Sequence, residues 1–328
     1  MHRKGLIKLQ EMIDDLTIHN TTIPPGARQL VKIPVGRIPS GNQINIQAHV
    51  IRSAIAGPTV LIMGGVHGDE INGMEIVRRS IEQDLYANLQ RGTVIVIPVV
   101  NIYGLINFSR EVPDGKDINR SFPGNRSGSL ASRVAYHLAK KVLPAADLAI
   151  DFHTGGRGTY NYPQIRYTVG HKESEDLGRK FGAPYLLAKK TIPKSLRKLS
   201  IDLEIPMLVF EGGENLRLDD FSTQEGLAGL QRILIAQEML PGQLEEKDSL
   251  HFVKTSWVRS PKAGIFQSTK VSGQMVAKGE VLGFITDAYG FEKHSVLASK
   301  KGQIIGHNNV PVVSQGDALF HLAYEEKS

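Results

Sequence analysis

The sequence predicts an α/β protein built on a sheet buried on both faces, followed by a smaller β unit. Three observations carry this expectation. Runs such as Thr59–Met63, Thr93–Val100 and Leu148–Phe152 are apolar without alternation, so both faces of each strand must be covered. Segments with apolar residues at helical spacing separate these runs. Beyond Pro241–Lys247 the long helical segments stop, and short strand-sized pieces rich in Val and Gly take over.

Along the chain, Leu6, Leu9, Ile13 and Leu16 stand at the spacing of a short amphipathic helix. Alternation around Val31–Val35 and Ile44–Ile51 marks strands, and Gly57-Pro58 a turn. The strand Thr59–Met63 runs into Gly64-Gly65, and a helix over Ile71–Leu85 turns Ile76, Ile81 and Leu85 inward. Thr93–Val100 is a second buried strand. Leu130–Leu143 is a helix with Val134, Leu138 and Val142 on one face, and Leu148–Phe152 a third strand. A helix-like Ser174–Phe181 precedes the strand Met207–Phe210, and the helix Ala228–Met239 is closed by Pro241-Gly242. Such alternation favours a parallel or mostly parallel sheet, in which functional residues gather at the carboxyl ends of strands. The expected division is a first unit over residues 1–245, its N-terminal segment to about residue 30 peripheral, and a β unit over 246–328.

Residues 250–323 contain a weak internal repeat. Pro261–Ile285, with Gly264 and Gly279, pairs with Ser299–Leu322, with Gly302 and Gly316. Two similar four-strand halves suggest a small β sandwich made by duplication, a pattern that resembles a biotinyl/lipoyl-like barrel-sandwich domain. In that family the lysine that carries the cofactor sits in a hairpin between the halves. Lys293 lies near that place but lacks a Met-Lys-Met or Asp-Lys-Ala context, so an unmodified β domain is expected.

Composition narrows the chemistry. The 328 residues are 41% hydrophobic and 22% charged, which disfavours disorder, collagen and coiled coil. There is no cysteine, so disulfides, thiolate metal sites, iron–sulfur clusters and thiol nucleophiles are excluded. Any metal must rest on His, Asp or Glu. A net charge of +6 favours anionic partners without amounting to a nucleic-acid signature. The densest basic stretch holds Lys189, Lys190, Lys194, Arg197 and Lys198; it is either a solvated face or a positive rim that attracts acidic substrates. The charged N-terminus lacks a secretory apolar region, and no apolar run reaches a membrane span, so a cytoplasmic protein without nucleic-acid or membrane partners is expected.

Three segments carry chemistry. Gly64-Gly-Val-His67-Gly-Asp-Glu70 follows a buried strand directly, and Asp151-Phe-His153-Thr-Gly155 ends another. Two imidazoles and a carboxylate suit Zn²⁺ and leave a coordination position open. A lone His at a strand end is ordinarily a hydrogen-bonded structural residue; it is the joint placement that favours metal. The second segment runs from Arg110 to Asp117-Ile-Asn119-Arg120. Arginine suits carboxylate binding and oxyanion stabilisation, although a surface loop with ordinary ion pairs explains a single Arg equally well. In the third, Leu208-Val-Phe-Glu211-Gly-Gly-Glu214, Glu211 ends an apolar strand, placed either as a general base or as a cap on the next turn.

Taken together, His67-x-x-Glu70, Arg110, Asn119-Arg120, His153 and Glu211 resemble the succinylglutamate desuccinylase/aspartoacylase family, a branch of the zinc carboxypeptidase clan. The resemblance spans residues 30–240. It implies a three-layer α/β/α sandwich around a mixed eight-stranded sheet, with the β tail found in bacterial members. It also implies one Zn²⁺ per chain held by His67, Glu70 and His153, an oxyanion-stabilising Arg110, and a substrate carboxylate on Asn119 and Arg120. Glu211 would be general base and then proton donor. The implied reaction is hydrolysis of a small, anionic N-acylated amino acid or amine. The same ligand set would serve a metallocarboxypeptidase acting on a peptide C-terminus, and a non-catalytic metal-containing binding module is the third alternative. Further substrate contacts have candidates in Arg157, Tyr160, Tyr162, Arg166 and Tyr289. A homo-oligomer is left open.

Overall fold

The computed structural model describes residues 14–325. The described chain opens with a hairpin of β1 (Leu16–Ile18) and β2 (Thr21–Ile23). Leu16 is therefore in a strand, and the rest of the proposed N-terminal helix lies outside the described residues. Nor is this hairpin peripheral: Ile18 and Ile23 are fully buried in the core.

Next come β3 (Arg28–Arg37), β4 (Gln43–Arg52), β5 (Thr59–Gly64), α1 (Ile71–Glu82), β6 (Thr93–Ile97), α2 (Ile102–Asn107) and α3 (Leu130–Lys141). They are followed by β7 (Leu148–Gly155), β8 (Thr159–Thr168), α4 (Lys172–Phe181), β9 (Tyr185–Lys189), α5 (Leu196–Asp202), β10 (Met207–Glu214) and α6 (Asp220–Ala236). Strands β3 to β10 stand side by side in the order β3-β4-β6-β5-β7-β10-β8-β9. This is the mixed eight-stranded sheet that the family resemblance implies. Strands β6, β5, β7 and β10 are mutually parallel, while β4 and β8 flank them antiparallel. The sheet is mixed rather than mostly parallel because β8 follows β7 after three residues, too short a connection to bring a strand back in the same direction.

Alternate residues of the central strands feed two cores. Leu61, Met63, Ile95, Ile97 and Ala149 pack on the side of α3, with its Val134 and Leu138, and of α5, with its Leu196. Val60, Ile62, Val94, Val96, Ile150 and Phe152 pack on the side of α1, α4 and α6. The result is a three-layer α/β/α arrangement. Helix α6 begins at Asp220 rather than near Ala228, because Asp219 caps it by accepting from the Ser222 amide.

The C-terminal segment adds β11 (Leu250–Phe252), β12 (Lys254–Arg259), β13 (Gly264–Ser268), β14 (Met275–Val276), β15 (Val281–Thr286), β16 (Lys293–Leu297), β17 (Gly302–Asn308), β18 (Val312–Val313) and β19 (Ala318–Tyr324). The repeat is visible in the pairing. One row is β16-β15-β13-β18; the other is β12-β19-β17-β14, its counterpart when each strand is exchanged for the strand four places along. The two rows share an apolar core that includes Phe266, Leu282, Ile304 and Phe320. The second row is not detached: β17 pairs with β8, and β11 with β9, so the large sheet reaches thirteen strands. Lys293 begins β16, beside an exposed hairpin tip carrying Tyr289 and Phe291. Among the described residues, no helix is long and apolar enough to cross a membrane.

Candidate metal and catalytic site

The carboxyl ends of β5, β7 and β10 meet in one cavity of about 370 Å³. All seven residues singled out from the sequence line it: His67, Glu70, Arg110, Asn119, Arg120, His153 and Glu211. His67 follows β5 through Gly65, whose φ of +64° a side chain rarely adopts. Glu70 directly precedes α1 and does not cap it; its carboxylate turns to the imidazoles instead. His153 lies in β7, in register with Glu211 on the neighbouring β10.

His67, Glu70 and His153 are all buried. Nδ1 of His67 lies 2.7 Å from Glu70 Oε1, and Nδ1 of His153 lies 2.7 Å from Oε2. The two Nδ1 atoms are 3.2 Å apart, close to the edge of a tetrahedron with arms of about 2.0 Å. The far nitrogens face carboxylates. His153 Nε2 is 2.7 Å from Asp151 Oδ2, and His67 Nε2 is 3.4 Å from Asp117 Oδ1. Each imidazole thus has a carboxylate behind it and Nδ1 directed at a common point, the arrangement that orients histidine toward a metal. The Thr154 amide donates to Glu70 Oε2 at 3.1 Å and fixes the third candidate donor. The donor set fits a divalent ion.

The electrostatics agree with this geometry. Burial disfavours charge on His153, but Asp151 and Glu70 outweigh it and raise its pKa well above the ordinary value. Burial likewise opposes protonation of His67, and Glu70 and Asp117 overcome it, raising the pKa. Burial works against ionisation of Glu70, yet the two imidazoles hold its carboxyl well below the usual range. The buried carboxylates favour positive charge where the two imidazoles meet, carried either by protons or by a cation that would displace them.

Arg110 reaches the same point. Its Nη1 lies 3.2 Å from both Glu70 Oε1 and His67 Nδ1, while Nε and Nη2 donate to Asp117 Oδ2 at 3.1 and 3.0 Å. Asn101, which caps α2, steadies the loop by donating to the Arg110 carbonyl. Asn119 is partly committed elsewhere, because its Oδ1 accepts from the Leu196 amide at 2.8 Å. Arg120 is exposed on the cavity side and donates to the Asn119 carbonyl.

On the other side, Glu211 accepts from Arg166 Nη1 at 2.6 Å and from Asn161 Nδ2 at 2.9 Å. Of the five further candidates, only Arg166 lines this cavity among the residues named above it. Arg157 borders a neighbouring depression, Tyr160 donates to Asp219, Tyr162 packs at a tilt against Tyr185 and Phe221, and Tyr289 is on the exposed hairpin tip. The sequence reading did not single out Asp117, Asp151 or Asn161 for a role, nor Trp257 from the C-terminal segment, which also lines the cavity. Asp117 and Asp151 stand within the quoted motifs, two residues before Asn119 and His153, and that spacing was the available signal. Arg197 belongs to the basic stretch and is a half-buried cavity residue rather than part of a solvated face.

Comparison with known proteins places this site in a family. A family model described as the succinylglutamate desuccinylase/aspartoacylase catalytic domain matches residues 56–236. The N-alpha-acetyl-L-2,4-diaminobutyric acid deacetylase of Halomonas elongata is 26% identical over 315 residues, covering 89% of this chain and 90% of the relative. The crystal structure of a succinylglutamate desuccinylase/aspartoacylase from Rhodobacter sphaeroides superimposes with a TM-score of 0.82 at 26% identity, covering 92% of this chain and 95% of the other. The product-bound ectoine utilization protein EutE (DoeB) of Ruegeria pomeroyi shares the fold, with a TM-score of 0.82 at 24% identity over 91% and 95% of the two chains. With its match over more than half its length, the chain belongs to the succinylglutamate desuccinylase/aspartoacylase family.

Proposed function

We propose that the chain is a zinc-dependent deacylase that hydrolyses the amide bond of a small N-acylated amino acid. One observation carries this reading: a buried His67–Glu70–His153 donor group opens into the same cavity as a carboxylate, Glu211, anchored on the adjacent strand. The relatives point the same way, since the Halomonas elongata protein is named as a deacetylase. A divalent ion held by the three residues would supply Lewis acidity toward the acyl carbonyl and its attacking water.

The remaining steps belong to side chains. Glu211 accepts the proton of the attacking water and passes it to the departing amine nitrogen. Arg166 and Asn161 set the carboxylate's orientation by binding one oxygen each. Arg110, already aimed at the donor group, stabilises negative charge on the acyl oxygen. Arg120, with Asn119 beside it, holds a substrate carboxylate and so fixes the scissile bond. The C-terminal β unit, residues 246–328, brings Trp257 to the cavity wall, which favours a small substrate over a peptide.

The test is a panel of N-acetyl, N-succinyl and N-formyl amino acids against short peptides, with amine release measured and metal determined on the purified protein. Release from acylated amino acids, lost on chelation and restored by Zn²⁺, is expected. Release from peptides alone would replace this reading with that of a carboxypeptidase.

A further inference from the structure

Glu211 is held through both of its oxygens, and each holder rests on the C-terminal segment. Oε1 accepts from Arg166 Nη1 at 2.6 Å, and Oε2 accepts from Asn161 Nδ2 at 2.9 Å. Both donors stand on β8. The start of that strand pairs with β17, with Asn161 opposite Gly306, and from Gln164 onward it pairs with β9. The fork falls at Pro163, which has no amide hydrogen to offer a neighbouring strand.

Two consecutive residues of β17 meet the two holders. Gln164 is fully buried, and its Nε2 donates to the Ile305 carbonyl at 3.0 Å and to the Tyr162 carbonyl at 3.1 Å. Its Oε1 accepts from Arg166 Nε at 3.4 Å. Gln164 and Arg166 are two apart on one strand and share a face, and Gln164 stands directly opposite Glu211 on β10. Ile305 is left outside the β19 ladder by a bulge, since the register passes from Ile304 to Gly306. Gly306 serves the second holder. A Cβ there would lie 2.9 Å from Asn161 Oδ1, so the bare backbone leaves room for the amide whose Nδ2 reaches Glu211. Attachment of the segment does not depend on these contacts. The pairing of β11 with β9 and the apolar group of Tyr185, Leu187, Phe252, Ile305 and Ala323 already fasten it.

We propose that Gln164 and Gly306 are positioning residues for Glu211, so that the C-terminal segment aims the carboxylate as well as walling the cavity. One arm runs from Ile305 through Gln164 and Arg166 to Oε1, the other from Gly306 through Asn161 to Oε2. This rests on the role proposed for Glu211 and adds what holds it in place.

The test uses Gly306→Ala and Gln164→Met, the second close in volume but without the amide. Both are made in the full-length, Zn²⁺-loaded protein, alone and in the Asn161→Ala and Arg166→Met backgrounds respectively. With the N-acetyl amino acid that the wild type hydrolyses best, each single variant is expected to lower kcat by roughly 10- to 100-fold, with KM and bound metal unchanged. Each is expected to cost little further in its background, because the arm it acts through is already gone. Crystal structures of the variants need no turnover, and should show Glu211 released from one holder while His67, Glu70 and His153 keep their places. Equal fold losses with and without the holder would overturn the proposal, as would a loss confined to KM or to metal content, or an unmoved Glu211. If Gly306→Ala does not fold, Gln164→Met decides by the same criteria. Hydrolysis of no acylated amino acid by the wild type would overturn the deacylase reading; the crystal structures would still decide the positioning, a displaced Glu211 supporting it and an unmoved one overturning it.

Discussion

Asp151 accepts a hydrogen bond from His153 Nε2 at 2.7 Å, two residues back along the same strand. Residues two apart on a strand share a face, so β7 delivers the imidazole and its orienting carboxylate together. The bond leaves Nδ1 of His153 facing Glu70. Replacing Asp151 by Ala should therefore weaken metal binding by about 10- to 100-fold without removing a ligand. Competition with a chromogenic chelator measures this; an unchanged affinity would show that the ring needs no such support.

Glu211, the proposed base, is separate from the three proposed metal donors. Glu211→Ala should retain the metal and lose roughly 10²–10⁴ of turnover, the usual contribution of a positioned acid–base group. His153→Ala should lose the metal itself. Elemental analysis beside steady-state kinetics separates the two effects, and substantial activity in Glu211→Ala would remove the base assignment.

Legibility in the sequence followed chemical distinctiveness. Strands β5 and β6 are nearly continuous apolar runs and β7 opens on one, Leu148–Ile150, so all three could be found by that feature. Strand β8 could not: Thr159–Thr168 is mostly polar and contains Pro163, yet it pairs on both sides because Asn161, Gln164 and Arg166 serve Glu211 or the neighbouring strand. The donor triad was legible because His67, Glu70 and His153 stand at strand ends in compact motifs. Arg197, Lys189 and Trp257 were not, since their approach to Glu211 and the cavity is set by tertiary placement. The continuity of β17 with β8 was equally invisible, because the alternation inside a strand does not name its neighbour.

Gly73 tests how tightly α1 fixes the site. A Cβ added there would lie 2.2 Å from the Phe152 carbonyl oxygen, on the residue immediately before His153. Backbone cannot yield as a flexible side chain can, so Gly73→Ala must push α1 away from β7, and Glu70 with it. A stability loss of about 1–3 kcal/mol is expected from such overpacking, together with weaker metal binding. Denaturant unfolding and metal titration of the variant check both; loss of stability with unchanged metal affinity would mean that Glu70 is held by its Thr154 bond independently of the helix.

Lys189 is a charge held partly out of water beside two arginines, Arg166 and Arg197, and that costs stability. Its pKa is pushed down to about 8 by burial first, then by Arg166 and Arg197, with Glu211 pulling in the opposite direction. His321, whose own pKa is lowered by burial and then by Lys189 and Arg166, lies near Lys189, and the Thr255 hydroxyl accepts a hydrogen bond from Lys189 Nζ. In the unfolded chain a lysine titrates near 10.4. Between pH about 8 and about 10.4 the unfolded state therefore binds more protons than the folded state, and stability from this residue rises with pH. Below pH 8 the destabilising effect of the charge is present in full. Lys189→Met removes it, so the variant's stability relative to the wild type should be most favourable near pH 7 and should decline as the pH approaches 10. The lost bond to Thr255 shifts that difference by an offset without producing its pH dependence. Urea midpoints at pH 7, 8, 9 and 10 measure it, and a difference that stays flat across this range would mean that Lys189 is fully hydrated.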